Sequence, residues 1–132
     1  PVQALASDLA HFENDIPVSV QYLPDSCIPI PQVFSSLGKN CLLQSMNDNS
    51  DIIVMDELGR FEKDVDDYIE TVDKVLDSSK IVIAVLKDEP LDYIHKIKAR
   101  DDVILFDLSK TEDVHHLQME FLCEICSLIV TL

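Results

Sequence analysis

Glycine is almost missing from this sequence. Two occur in 132 residues, Gly38 and Gly59, which excludes any loop that must turn a run of backbone amides inward at close approach, because such loops need several residues without a Cβ. Basic residues are scarce as well: 10 Lys and Arg stand against 25 Asp and Glu, for a formal charge of −15. The resulting field repels phosphate backbones and anionic lipid surfaces, so nucleic acid and membranes are excluded as partners. The four cysteines, Cys27, Cys41, Cys123 and Cys126, are too few and too irregularly spaced for a disulfide scaffold. They read as reduced thiols. No apolar run reaches the roughly 18 residues of a membrane span, and no basic stretch followed by an apolar one opens the chain. The expected compartment is the cytoplasm. The sequence begins at Pro1, which leaves open both a removed initiator methionine and a missing N-terminal piece.

What is present is the composition of a folded protein: 47% hydrophobic and 27% charged residues with no low-complexity tract. The length predicts a single domain over residues 1–132, with 1–50 less legible and 51–132 built of strand–helix repeats. The runs "DIIVMD" (51–56), "KIVIAVL" (80–86) and "DVILFDL" (102–108) are β-branched and nearly continuous, as in parallel strands covered on both faces. Between the first two, Phe61, Val65, Tyr68, Ile69, Val72, Val75 and Leu76 form one helical stripe, with acids filling the remaining positions. Pro90 is placed to open a shorter helix with Leu91, Ile94 and Ile97 inward. "SKTE" (109–112) has the pattern of a capping box for a last helix through Val114, Leu117, Phe121 and Ile125. Three such units in succession predict an α/β fold with a mainly parallel sheet. Upstream, Val2 to Phe12 suggests a short helix and Val18, Val20 and Tyr22 alternate like a strand. "PDSCIPIPQ" (24–32) reads as a Pro-punctuated loop before a helix through Val33, Phe34, Leu37 and Met46, weakened at Gly38.

In an open parallel sheet ligands bind beyond the carboxyl ends of the strands. The residues there are Asp56 with Glu57, Lys87 with Asp88, and Ser109 with Lys110. A carboxylate ending an apolar strand can hold magnesium (Mg2+) through water, and a second beside it can orient an attacking water. The bland alternative is that Asp56 caps a turn and Glu57 is a solvated loop residue. Cys123 and Cys126 form Cys-x-x-Cys inside an apolar helix, where packing outweighs metal binding because a zinc site needs two further ligands. His115 and His116 are expected at the surface, and His11 and His95 have no recognisable partner. Lys87 and Arg100 are placed to approach an anion at the sheet edge, but surface pairing with the many acids is the favoured reading. Ser35 and Ser36 lack the strained turn of a hydrolase nucleophile.

The segment "IIVMDELGRFE" (52–62) resembles the Walker B segment of the THEP-type nucleoside-triphosphatases: apolar strand, Asp, Glu, aliphatic, Gly, any residue, Met, Glu, with Phe61 in place of Met. The likeness continues through "VSVQYLPDSCIPIPQVF" (18–34), "SKIVIAVL" (79–86), "IHKIKARDDVILFDLS" (94–109) and the final helix. The resemblance implies a three-layer, P-loop NTPase-like α/β fold that hydrolyses nucleoside triphosphates with Mg2+. Asp56 matches the family's metal acid and Glu57 its water-positioning, catalytic acid. Glu62 matches a further acid that is structural or site-facing.

Two departures stand against activity. A phosphate loop needs a Gly-rich stretch closed by Gly-Lys-Ser/Thr, whereas Gly38-Lys39 is followed by Asn40, has Val33 where the first glycine belongs, and lies inside an expected helix. The family's Asn-Arg pair after the last strand corresponds here to Glu112 and Asp113. The expectation is a catalytically deficient relative that acts as a binding, regulatory or assembly protein, with at most weak nucleotide and Mg2+ binding. The alternative is a fragment of an active enzyme whose phosphate loop lies upstream of Pro1. A sheet without its phosphate-loop strand has an open edge, so a homo-oligomer or a protein partner is expected to cover it.

Overall fold

The computed structural model describes the backbone of residues 19–23, 26–109 and 114–130. It falls into two compact units, residues 1–95 and 96–132.

In the first unit a hairpin comes first. β1 (Ser19–Leu23) pairs antiparallel with β2 (Ser26–Pro29). Half of the expected loop at 24–32 is therefore strand: Pro29 stands at the strand's end, where its missing N–H costs no internal ladder bond. Pro31 opens α1 (Pro31–Val33), with its missing amide at a position that needs none. The helical backbone continues through a π-helical turn, Phe34–Gly38, into α2 (Lys39–Asn47). The weakness anticipated at Gly38 is thus a local widening rather than a break. Gly38 is needed for close approach, since a Cβ there would lie 3.0 Å from Cε2 of Tyr68. Tyr68 in turn meets Phe34 edge-on, ring centroids 5.4 Å apart.

β3 (Ile52–Leu58) and β4 (Ile81–Leu86) form the expected parallel pair, joined by α3 (Asp66–Leu76). α3 buries Val72 and Val75 completely and packs against α2 and the π-helical turn. Its first turn carries Asp66 and Asp67 and its last Lys74, each sign facing the favourable end of the helix dipole. Asp67 also fastens the helix to the preceding segment. It accepts from Ser35 Oγ at 3.0 Å and Lys39 Nζ at 3.1 Å, and these bonds, Lys39's foremost, hold its carboxyl below the usual range. The core is completed by Ile53, Met55, Leu58, Val65 and Ile94. α4 (Asp92–Lys98) starts two residues after Pro90 rather than at it.

The architecture is α/β, a parallel pair with flanking helices, as in P-loop NTPase-like folds. Two expectations need correction. Val54 is 65% and Val85 45% exposed, so among the described residues the sheet is not covered on both faces. The run 102–108 is not a strand: it has no ladder partner among the described residues, and Ile104, Leu105 and Leu108 are exposed. An apolar, β-branched run becomes a strand only where a sheet edge accepts its amides.

In the second unit α5 (Val114–Val130) follows, and Phe106 meets Phe121 edge-on at 5.3 Å. His115 and His116 are exposed, as anticipated. Cys123 and Cys126 are free and exposed, not packed inward. The helix expected near residues 2–12 and the capping-box residues 110–112 lie outside the described residues.

Candidate functional site

β3 alternates strictly at first, with Ile53 and Met55 buried and Val54 exposed. The register then slips. Asp56 opposes Val85 but Leu58 opposes Leu86, leaving Glu57 as an extra residue in β3. A bulge of this kind moves two successive side chains to one side of the strand, and Asp56 and Glu57 are accordingly both exposed while Leu58 returns to the core. The Asp56–Glu57 peptide bond is cis. The bulge leaves two successive acids exposed at the carboxyl end of the strand.

Lys87, the residue following β4, reaches the second acid of the pair: its Nζ lies 3.2 Å from Glu57 Oε2. Its own amide bonds Leu58 O at 2.9 Å. Gly59 makes that approach possible, because a Cβ there would lie 2.8 Å from Lys87 Cγ. Arg60 sits over the Phe61 ring at 5.5 Å, with a guanidinium nitrogen 3.8 Å from Glu89 Oε1.

Glu62 has a different place from its neighbours. It is 3% exposed. Its Oε1 accepts the Gly59 N–H at 2.5 Å and the Tyr93 hydroxyl at 2.8 Å, and that hydroxyl also lies 2.6 Å from Gly59 O. Burial, and then the bond to Glu62, pushes the Tyr93 hydroxyl well above the usual tyrosine range. Tyr68 is pushed up to about 12, by burial first and by the Glu62 and Cys41 charges after it. Glu62 is therefore a buried tie under the acidic turn, inside the site's frame rather than on its surface.

A groove of about 610 Å³ opens beside Asp56, Glu57 and Lys87. Its far wall is Phe34, Leu37 and Gly38 of the π-helical turn, with Cys41, so residues of the N-terminal third line the space next to β3. Of the residues singled out in the sequence, Asp56, Glu57 and Lys87 meet at one strand end, with Glu62 behind them. Ser109 lies in the second unit, where its amide and hydroxyl both bond Asp107 Oδ1, at 3.0 and 2.6 Å. Tyr93 and Gly59 were not read as site residues, although the glycine stood within the quoted motif. Among the described residues no group of three or more His, Cys, Asp or Glu gathers as a metal cage. Two exposed carboxylates without a cage suit Mg2+, which keeps several waters and takes one or two protein carboxylates.

A family model described as NTPase matches residues 28–117. The chain belongs to this THEP-type NTPase family. The family's curated relatives include nucleoside-triphosphatase THEP1 of Thermotoga maritima, 40% identical over 60 residues that make up 46% of this chain and 34% of that protein. The protein of the same name from Thermotoga sp. strain RQ2 is 38% identical over the same shares, and that of Thermotoga petrophila 37% identical over 59 residues. The chain spans about a third of the length of the curated relatives it matches. No solved structure matches it. Among the described residues no helix is long and apolar enough to cross a membrane.

Proposed function

We propose that these 132 residues carry the metal-side half of a nucleoside-triphosphate site, the family's Walker B segment, and do not hydrolyse nucleotide as they stand. The chain acts as a binding, regulatory or assembly protein of the cytoplasm. The observation that carries this reading is the pairing of Asp56 and Glu57, both exposed at the bulged end of β3, in a sequence with two glycines and no Gly-Lys-Ser/Thr stretch. Asp56 and Glu57 would hold Mg2+, which supplies positive charge to a phosphate chain when bound. Lys87 is the one cation already in contact with the pair among the described ion pairs, so Mg2+ competes with its ammonium for Glu57. Binding is correspondingly weak. Calorimetric titration with Mg2+ tests this: heat is expected from the wild type and is lost in Asp56→Ala, whereas micromolar binding of Mg2+–ATP would refute the deficient reading.

A second reading is favoured by the open side of the sheet. Val54 is 65% exposed in mid-strand beside the groove, as in a domain that lacks a neighbouring element. On this reading the chain is part of a longer, active Mg2+-dependent nucleoside-triphosphatase. Glu57 then orients the attacking water. The upstream reading frame separates the two, since a Gly-rich Gly-Lys-Ser/Thr stretch there restores the expectation of hydrolysis. A second copy of the chain or a protein partner over Val54 and Val85 is the remaining way to cover that face.

A further inference from the structure

The acidic pair rests on a hidden support. Glu62 is buried, and its Oε1 is held from two directions, by the amide of Gly59 at 2.5 Å and the hydroxyl of Tyr93 at 2.8 Å. Gly59 follows Leu58 directly, and the Gly59 Cα faces the Lys87 stem so closely that no side chain fits between them. Lys87 ends on Glu57. A line of hydrogen bonds and close approaches therefore runs from Tyr93 on α4 through Glu62 and Gly59, and along the Lys87 stem, to Glu57 at the end of β3. A carboxylate accepting an amide at one end of a bulge fixes the peptide planes on that side, and with them the direction of the bulge's side chains. The alternative occupant of this position, an apolar side chain, would leave the Gly59 amide without its buried acceptor.

We propose that Tyr93 is a positioning residue for the Asp56–Glu57 metal site, acting through Glu62 and Gly59. This rests on the Mg2+ reading of that pair. The hydroxyl lies 2.6 Å from Gly59 O and 2.8 Å from Glu62 Oε1 and so holds the Gly59 peptide and the Glu62 carboxylate against one another; removing it lets the 57–59 segment relax while Asp56 and Glu57 remain in the chain. Partners bonded directly to metal ligands are typically worth about 10- to 100-fold in affinity, and Tyr93, which acts through intervening residues, is expected at the low end of that range.

The test is a Mg2+ titration of the intact chain, followed by calorimetry and by the Gly59 amide signal, which is easily found because only one other glycine exists. In the wild type the Gly59 signal is expected to move as Mg2+ is added. In Tyr93→Phe the dissociation constant is expected to rise about tenfold. Glu62→Gln keeps an acceptor for both donors and is expected to retain most of the affinity, whereas Glu62→Ala loses as much as Tyr93→Phe. A hydroxyl with only an architectural role lowers the melting temperature of Tyr93→Phe and leaves its Mg2+ constant unchanged; that result overturns the proposal and spares the metal site. No Mg2+ binding by the wild type overturns both. Should Tyr93→Phe fail to fold, the comparison of Glu62→Gln with Glu62→Ala decides, and equal Mg2+ constants for those two overturn it.

Discussion

Single contacts decide what the acidic pair can do. Glu57 is neutralised by Lys87 at 3.2 Å, an exposed pair of the kind worth at most about 1 kcal/mol, so its effect falls on the site rather than on stability. Lys87→Met is expected to tighten Mg2+ binding several-fold with little change in melting temperature; calorimetry that finds weaker binding would mean that Lys87 shapes the site instead of competing for it. Gly59→Ala forces a Cβ to 2.8 Å from Lys87 Cγ and is expected to cost about 1–3 kcal/mol, measured by urea unfolding. Two tyrosines, Tyr93 buried and Tyr68 half-buried, set an alkaline limit. Tyr68 holds its proton to about 12 against an ordinary 10.0, and Tyr93 is displaced in the same direction. Above pH 10 the unfolded chain releases protons that the folded chain keeps, so stability falls as pH rises through this window and is unaffected by these groups below it. Tyrosinate absorbance should therefore show two late-titrating groups; three ionising together near pH 10 would contradict the burial. At this scale Asp56, Glu57 and Lys87 were legible because each follows or ends a strand. Tyr93 was not, because its partner Glu62 is 31 positions away and only the fold brings them together.

Among the elements, those with a strong period were the ones the sequence revealed. The stripe from Phe61 to Leu76 is α3 from Asp66 onward, with Phe61 and Val65 ahead of the helix, and the apolar runs at 51–56 and 80–86 are β3 and β4. The run at 102–108 has the same composition and is no strand. Composition specifies a residue's suitability for a sheet, but pairing depends on an available neighbour, which no local pattern encodes. The hairpin at 19–29 was half hidden for the opposite reason, since three prolines in 24–31 read as loop although Pro29 needs no amide at a strand end. The bulge at Glu57 was also invisible, and it is the feature that turns both acids outward. The one-sided burial of β3 makes a sharp contrast. Ile53→Ala, at 3% exposure, is expected to cost about 2–5 kcal/mol, while Val54→Ala stays within about 0.5 kcal/mol. Denaturant midpoints check this, and equal losses at both positions would show that Val54 is covered in solution.

The whole molecule combines a charge of −15 with a sheet face that is open at Val54 and Val85. The charge disfavours close self-association at low salt, and the open face favours it. If a second copy covers the face, light scattering at micromolar concentration gives more than the monomer mass of 14.9 kDa, increasingly so as salt screens the charge. A monomer mass at every salt concentration would assign the face to another partner. Family membership was readable from the segment 52–62, but activity is a property of the assembled site, to which these residues contribute, on the proposed reading, the acidic side. The most direct test is phosphate release from ATP and GTP with Mg2+ by the purified chain, beside Glu57→Gln. The account predicts no release above the Glu57→Gln background; turnover that vanishes in that variant would contradict it.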